Sequence, residues 1–264
     1  MRRLKPWLYR RLQARRWFRQ LATRNFSSGL IALGEQNRYG IRPEWITVDA
    51  DGADVNVDFR QRQPLPFPDA SQRVIYAAHV IEHLGEEMLA YLLWESCRLL
   101  KPGGTLRLEA PDLERAIEAY RQRDRAFLDY FREEYRASLV EGLGLPMAYT
   151  EDHVALLGVA SCYIERNTQI PVLASREETD RLVGTLTVEE FGRWCVSLQS
   201  PQQQRSGGHI TPIYFEKLRR MLTDAGFTMV RRVSNGSTHV AGLALRGVER
   251  PHRACYSLYV EAVK

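Results

Sequence analysis

His79, Glu82 and His83 stand in the order H-x-x-E-H within "IYAAHVIEHL" (75–84). Two histidines and a glutamate so spaced are the residue types of an inverted zinc-protease motif, with imidazoles as ligands and the carboxylate as base. That chemistry needs both histidines one turn apart on a helix, and a third ligand. The residues before His79, "RVIYAA" (73–78), are apolar and rich in strand formers, so they read as a β-strand running directly into the histidine. His79 therefore sits at a strand end, the spacing indicates no third ligand, and no metal is assigned. Glu82 and His83 become residues of a turn or helix start. His79 is left to touch a ligand or to move a proton, for which an imidazole is suited.

A strand that ends in a reactive side chain needs a sheet around it. "GLIAL" (29–33), "WITVDA" (45–50), "ADVNVDF" (53–59) and "TLRLEA" (105–110) also read as strands. "EEMLAYLLWESCRLL" (86–100) has apolar residues at helical spacing, and "KPGG" (101–104) stops it. After Pro111 the rhythm changes. Residues 112–140 read as one long charged helix, and 141–208 mix Gly, Pro and polar residues, with "SPQQQRSGG" (200–208) the most linker-like piece. A helix at 211–227 and strands at 227–233 and 256–263 restore the α/β pattern. Strands interleaved with helices predict an α/β fold with a doubly wound, mostly parallel, seven-stranded sheet. The expected organisation is an arm (1–28) and a domain (29–264) interrupted by an insertion or lid at 112–210.

The composition is that of a globular protein: 264 residues, 44% hydrophobic and 26% charged. Its net charge of +5 is unevenly spread. Nine of the 37 basic residues fall within residues 1–25, which hold no acid, leaving 28 basic against 32 acidic residues in the rest. A mildly acidic body argues against nucleic acid as partner. Within the arm, Leu4, Trp7, Leu8, Phe18 and Leu21 share a helical face with Arg11 and Arg15. A helix packed on the domain, an anchor on anionic lipid, and an RNA contact or transit peptide are the readings it leaves open. Cys97, Cys162, Cys195 and Cys255 are widely spaced, without C-x-x-C, and read as free thiols of a reducing, cytoplasmic setting, with peripheral attachment at the inner membrane if the arm binds lipid.

The ordered blocks "WITVDADGADVNVDFRQRQPLPFPDAS", "IYAAHVIEHL", "ESCRLLKPGGTLRLEAPDLE" and "SLYVEAVK" resemble the class I S-adenosylmethionine-dependent methyltransferases. More narrowly, they look like the type 11 bacterial group often encoded beside surface-polysaccharide genes. The resemblance covers residues 29–114 and 209–264 and implies a Rossmann-like sheet with S-adenosyl-L-methionine as cofactor. In open parallel sheets, ligands lie beyond the carboxyl ends of the strands. That position suits cofactor contact for Gly34 after strand one, Asp49 after strand two on the ribose, and His79 after strand four, and the resemblance implies that Asp58 after strand three takes the adenine amino group with Phe59 against the ring. Asp49 and its neighbour Asp51 also suit a turn. His79 is the candidate base.

Two departures stand out. The family carries G-x-G after strand one, whereas this chain has Gly34-Glu35-Gln36; Glu35 would face the cofactor's carboxylate or hold its ammonium. Gln72-Arg73 replaces the usual Phe-Asp. The function implied is methyl transfer to an unidentified small-molecule acceptor, with a glycan or lipid-linked saccharide hydroxyl as the finer expectation. The alternative is a noncatalytic or weakly cofactor-binding protein that keeps the fold as a binding or scaffolding partner. His153 and His209 lie in or beside the insertion, within reach of an acceptor.

Overall fold

The computed structural model describes residues 28–35, 44–161, 174–243, 245 and 248–264. The readings of the arm and of Gln36 and Cys162 lie outside them. Seven strands form one sheet in the order β3-β2-β1-β4-β5-β7-β6. They are β1 (Leu30–Leu33), β2 (Ile46–Asp49), β3 (Val55–Asn56), β4 (Gln72–Ala78), β5 (Leu100–Pro111), β6 (Met229–Val233) and β7 (Ser257–Val263). The first five pair in parallel, and β7 runs antiparallel to both β5 and β6. This is the mostly parallel α/β sheet expected from the sequence.

Period-two alternation sorts β5 into two faces. Leu106, Leu108 and Ala110 join Ile31, Ile75 and Val260 in the main core, which is covered by helices α1 (Glu86–Leu99) and α8 (Phe215–Asp224) through Leu89, Leu93, Leu218 and Leu222. Each such side chain, fully buried, contributes roughly 1.5–3 kcal/mol. On the other face Leu30, Trp45, Val74 and Tyr76 pack with Val240, Leu243 and Val248. Beside this cluster Arg107, wholly buried, donates from Nε to Glu249 Oε1 at 2.7 Å and from Nη1 to Glu261 Oε1 at 3.2 Å. Its Nη1 and Nη2 also donate to the Ser237 and Ser234 carbonyls, at 2.7 and 3.0 Å. The two carboxylates then accept from the Gly236 and His239 backbone, so one guanidinium fastens residues 234–239 and Glu249 to the sheet.

The region 112–210 has a core of its own, built on α2 (Leu113–Gln122), α3 (Arg125–Tyr135), α4 (Asp152–Ser161), α5 (Arg176–Thr185) and α6 (Val188–Ser197). The single helix expected over 112–140 is broken. Arg123 is left-handed (φ 53°), and Asp124 starts a new helix by accepting from Ala126 and Phe127 N–H. A π-helical turn, Arg136–Glu141, follows. The linker-like stretch is also structured: Pro201–Ser206 forms α7, with Ser200 and Gln203 as a reciprocal capping box and Pro201 in the first turn. Strand β3 is shorter than its alternation suggested, and β6 begins at Met229 rather than Phe227. Cys97, Cys195 and Cys255 are free thiols, and among the described residues no helix is long and apolar enough to cross a membrane.

Arg107→Leu removes the cation between two buried carboxylates and should destabilise the protein by about 3–5 kcal/mol. Urea denaturation reads this, and a loss below about 1 kcal/mol would mean that the pairing does not hold residues 234–239 on the sheet.

Candidate active site

The carboxyl ends of β1, β2 and β4 and the segment after β3 converge on a crevice of about 320 Å³. Gly34, Asp49, Asp58, Phe59 and His79 all line it, with Arg60, His83 and residues of α7 and its C-cap: Gln204, Arg205 and Gly207. Gly34 has φ +72°, and a Cβ there would lie 2.1 Å from Val80 Cγ2, so the strand-end turn admits only glycine without rearrangement. Its N–H donates to Val48 O at 2.7 Å. Asp49 closes β2 and turns one oxygen onto the Ala50 N–H at 2.6 Å, leaving the other free of any recorded partner among the described residues. The turn reading of Asp49 and its place in the crevice thus coexist.

Asp58 is more heavily engaged. Its oxygens accept from Arg60 N, Arg60 Nε, Arg60 Nη2 and Gln61 Nε2 at 2.9–3.3 Å. The Arg60 hydrogen bond is the main reason its carboxyl lies below the usual aspartate range. A carboxylate has about four acceptor sites, so this one is already full. Glu35 does not line the crevice. Burial raises its carboxyl above the usual range, opposed by Arg250 and Arg253 and reinforced by Glu109 and Asp49.

His79 departs most from ordinary geometry. Its φ is +53°, in the left-handed region that few residues other than Gly adopt, though His enters it more readily than most. The surroundings hold it there: its N–H donates to Glu109 O at 2.8 Å, Nε2 lies 3.0 Å from Ser257 Oγ and 3.6 Å from Glu109 Oε1, and Nδ1 lies 3.2 Å from Glu82 Oε1. Burial pulls the imidazole's pKa down, but the Glu109 and Glu82 carboxylates beside it outweigh that, and the net shift is upward. Glu109 is itself inaccessible. It accepts from Tyr76 OH at 2.6 Å and Tyr259 OH at 3.4 Å, and Arg253 approaches to 3.6 Å. Burial alone would raise its carboxyl, yet the imidazole of His79 beside it and the Tyr76 hydrogen bond bring it below the usual range.

His79 also lines a second, larger cavity of about 550 Å³. Its wall comes mostly from the 112–210 region, with Phe131, Glu134, Tyr135, Ser138 and Leu139, and is completed by Tyr256 and His209. His153, also buried, lines neither cavity. Sequence reasoning missed Glu109, Arg253, Tyr256 and Ser257. Only the place of Glu109 near the end of a predicted strand signalled any of them.

The profile of the family described as "Methyltransferase domain" matches residues 25–108, about a third of the chain. No curated protein matches. Among solved structures, the chain is similar to an S-adenosylmethionine-dependent methyltransferase from Archaeoglobus fulgidus at 14% identity, covering 97% of this chain and 94% of that one, with a TM-score of 0.39. Another, from Mesorhizobium loti, shares 13% identity over 94% and 97% of the two chains, with a TM-score of 0.39. A Thermotoga maritima protein titled a possible histamine N-methyltransferase shares 13% identity over 95% and 94%, with a TM-score of 0.38. The sequence match covers residues 25–108, the stretch that supplies β1 to β4 and most of β5. The expected cofactor is S-adenosylmethionine.

Arg60→Ala should return the Asp58 carboxyl toward its ordinary pKa. Because the folded value is depressed, the pairing contributes stability above the unfolded aspartate pKa and loses it as pH falls through the folded one. Carboxyl NMR titration of both proteins checks this, and an Asp58 midpoint that does not move would break the assignment.

Proposed function

We propose that the chain transfers a methyl group from S-adenosylmethionine to a hydroxyl of a glycan or lipid-linked saccharide, with the 112–210 insertion walling the acceptor. The observation that carries this reading is His79 lining both cavities, one bounded by strand ends and the other by the insertion. S-adenosylmethionine, when bound, supplies a methyl group on a sulfonium that is open to in-line displacement.

The residues present suit the nucleoside half of that cofactor. The free oxygen of Asp49 accepts ribose hydroxyls, Phe59 offers a ring face to adenine, and Gly34 lets the backbone come close. Asp58 can serve the adenine amino group once Gln61 releases it, since four donors already fill its oxygens. In this reading Glu35 acts from outside the crevice, as a charge near the cofactor's ammonium.

The chain's main task in such a transfer is alignment, because orientation supplies much of the rate. A hydroxyl acceptor must also lose its proton. His79 takes it, with Glu109 and Glu82 stabilising the imidazolium that results. The saccharide class rests on the family resemblance and on the chemistry of the larger cavity. Phe131, Tyr135 and Tyr256 offer flat apolar faces, while Glu134 and Ser138 can hydrogen-bond hydroxyls. Leu143 lines this cavity and is 46% exposed, an apolar position suited to a lipid portion.

Calorimetry should detect binding of S-adenosylmethionine and of its demethylated product, with Asp49→Ala weakening both by roughly tenfold or more. Failure of the unaltered chain to bind either at millimolar concentration would end the methyltransferase reading. His79→Ala should lower turnover on saccharide acceptors by about 10²–10⁴-fold, and by more than it lowers cofactor affinity. Full turnover in that variant would leave His79 a structural role only.

A further inference from the structure

Glu82 is 1% exposed, and neither of its oxygens accepts an aligned hydrogen bond within the described structure. A carboxylate this deep is unfavourable unless a cation or several donors answer it. His79 Nδ1 approaches one oxygen to 3.2 Å, and His83 Nε2 approaches the same oxygen to 3.8 Å. The second oxygen has no recorded partner of either kind. His209, which follows Glu82 by more than a hundred residues, completes the group. One ligating atom from each of Glu82, His83 and His209 lies within 4.8 Å of the others.

Both imidazoles are oriented as metal ligands are. His83 Nδ1 lies 3.2 Å from Gly208 O, and His209 Nδ1 lies 3.0 Å from Val159 O. A carbonyl only accepts, so the proton of each neutral ring sits on Nδ1 and the lone pair on Nε2. Hydrogen bonds of this kind fix the tautomer and ring plane of metal-bound histidines. The backbone holds the pieces together before any ion arrives. Ile210 N and Thr211 N both donate to Glu82 O, at 2.8 and 3.2 Å, and Gln199 Nε2 donates to His209 O at 2.7 Å.

We propose that Glu82, His83 and His209 form a divalent transition-metal site of the zinc class. Two imidazole nitrogens and one carboxylate favour such an ion over magnesium or calcium, and three protein ligands leave a coordination position open. Ligands of one tetrahedral zinc stand roughly 3.3 Å apart, so the group must close by about an ångström or more. His83 lines the strand-end crevice and His209 the larger cavity. An ion between them lies in the partition of the two, where an oxygen-bearing acceptor could take the open position. The site is distinct from the H-x-x-E-H reading of the sequence, because His79 stays with Glu109 and Ser257 and the third ligand comes from outside the motif. Metal binding stands or falls independently of the methyltransferase reading.

The test uses the full chain, stripped with a chelator and titrated with Zn²⁺, and with Co²⁺ for its visible absorption. The expected result is one equivalent bound, a tetrahedral or five-coordinate Co²⁺ spectrum, and a raised melting temperature. His209→Gln and His83→Gln should each weaken binding by about tenfold or more while remaining folded. Glu82→Gln should do the same. His153→Gln, a buried histidine outside the cluster, should bind as the unaltered chain does. Absence of stoichiometric binding at about 100 μM Zn²⁺ would overturn the proposal, because built protein sites of this kind bind far more tightly. Binding unaffected by both histidine substitutions would also overturn it, assigning the ion to an adventitious place and Glu82 to His79 alone.

Discussion

A buried charge has to be answered from within, and β5 carries two of them on one face. Arg107 and Glu109 are both without exposure, two residues apart on the same side of the strand. Arg107 is answered by Glu249 and Glu261, and with them by residues 234–239. Glu109 is answered by Tyr76, Tyr259, Arg253 and His79. The first set decides what covers that face of the sheet. The second draws together β4, β7 and the turn that carries Arg253, and holds a histidine in a backbone conformation it would otherwise avoid. The position of His79, and so of the wall between the two cavities, follows from satisfying Glu109.

The two cavities have different origins. The smaller is made by strand ends, which a parallel sheet of this order produces wherever neighbouring connections leave in opposite directions. The larger is walled mostly by helices of the 112–210 region, whose core is separate from that of the sheet. Close approaches fasten the two bodies. Gly192 of α6 lies against Pro212 and Leu113, where a Cβ would come within 2.5 Å of Pro212 Cβ. Leu113 N also donates to Ile213 O at 3.1 Å. A rim built on helices with their own core can change its side chains without disturbing the strand ends, which suits a fold that serves many acceptors.

Much of the sheet was legible because parallel strands buried on both faces appear as short apolar runs, such as Leu30–Leu33 and the centre of β4. The acids at strand ends were legible for the same reason, and Gly34, Asp49, Asp58, Phe59 and His79 do meet in one crevice. What stayed hidden was contact between distant segments. Nothing local ties His209 to Glu82, and no pattern pairs Arg107 with Glu249. Alternation in "TLRLEA" puts Arg107 and Glu109 on one side of the strand but does not say what encloses them, and both are fully buried. The break at Arg123 was invisible because charged helical pattern continues on both sides and one left-handed residue makes the turn. The helix Pro201–Ser206 was misread from its polar composition, although Ser200 and Gln203 stand at the spacing of a capping box.

The shared position of His79 has a thermodynamic corollary. One ring forms part of the wall of both cavities, so a ligand that turns it in one alters the surface met by a ligand in the other. Linkage then makes the influence mutual: the factor by which the first occupant changes the affinity of the second equals the factor in the reverse direction. The ring is held further by Ser257 Oγ at 3.0 Å and Glu82 Oε1 at 3.2 Å. Any coupling between the cavities through this ring would be carried by its rotamers, and it would be equal whichever occupant arrives first.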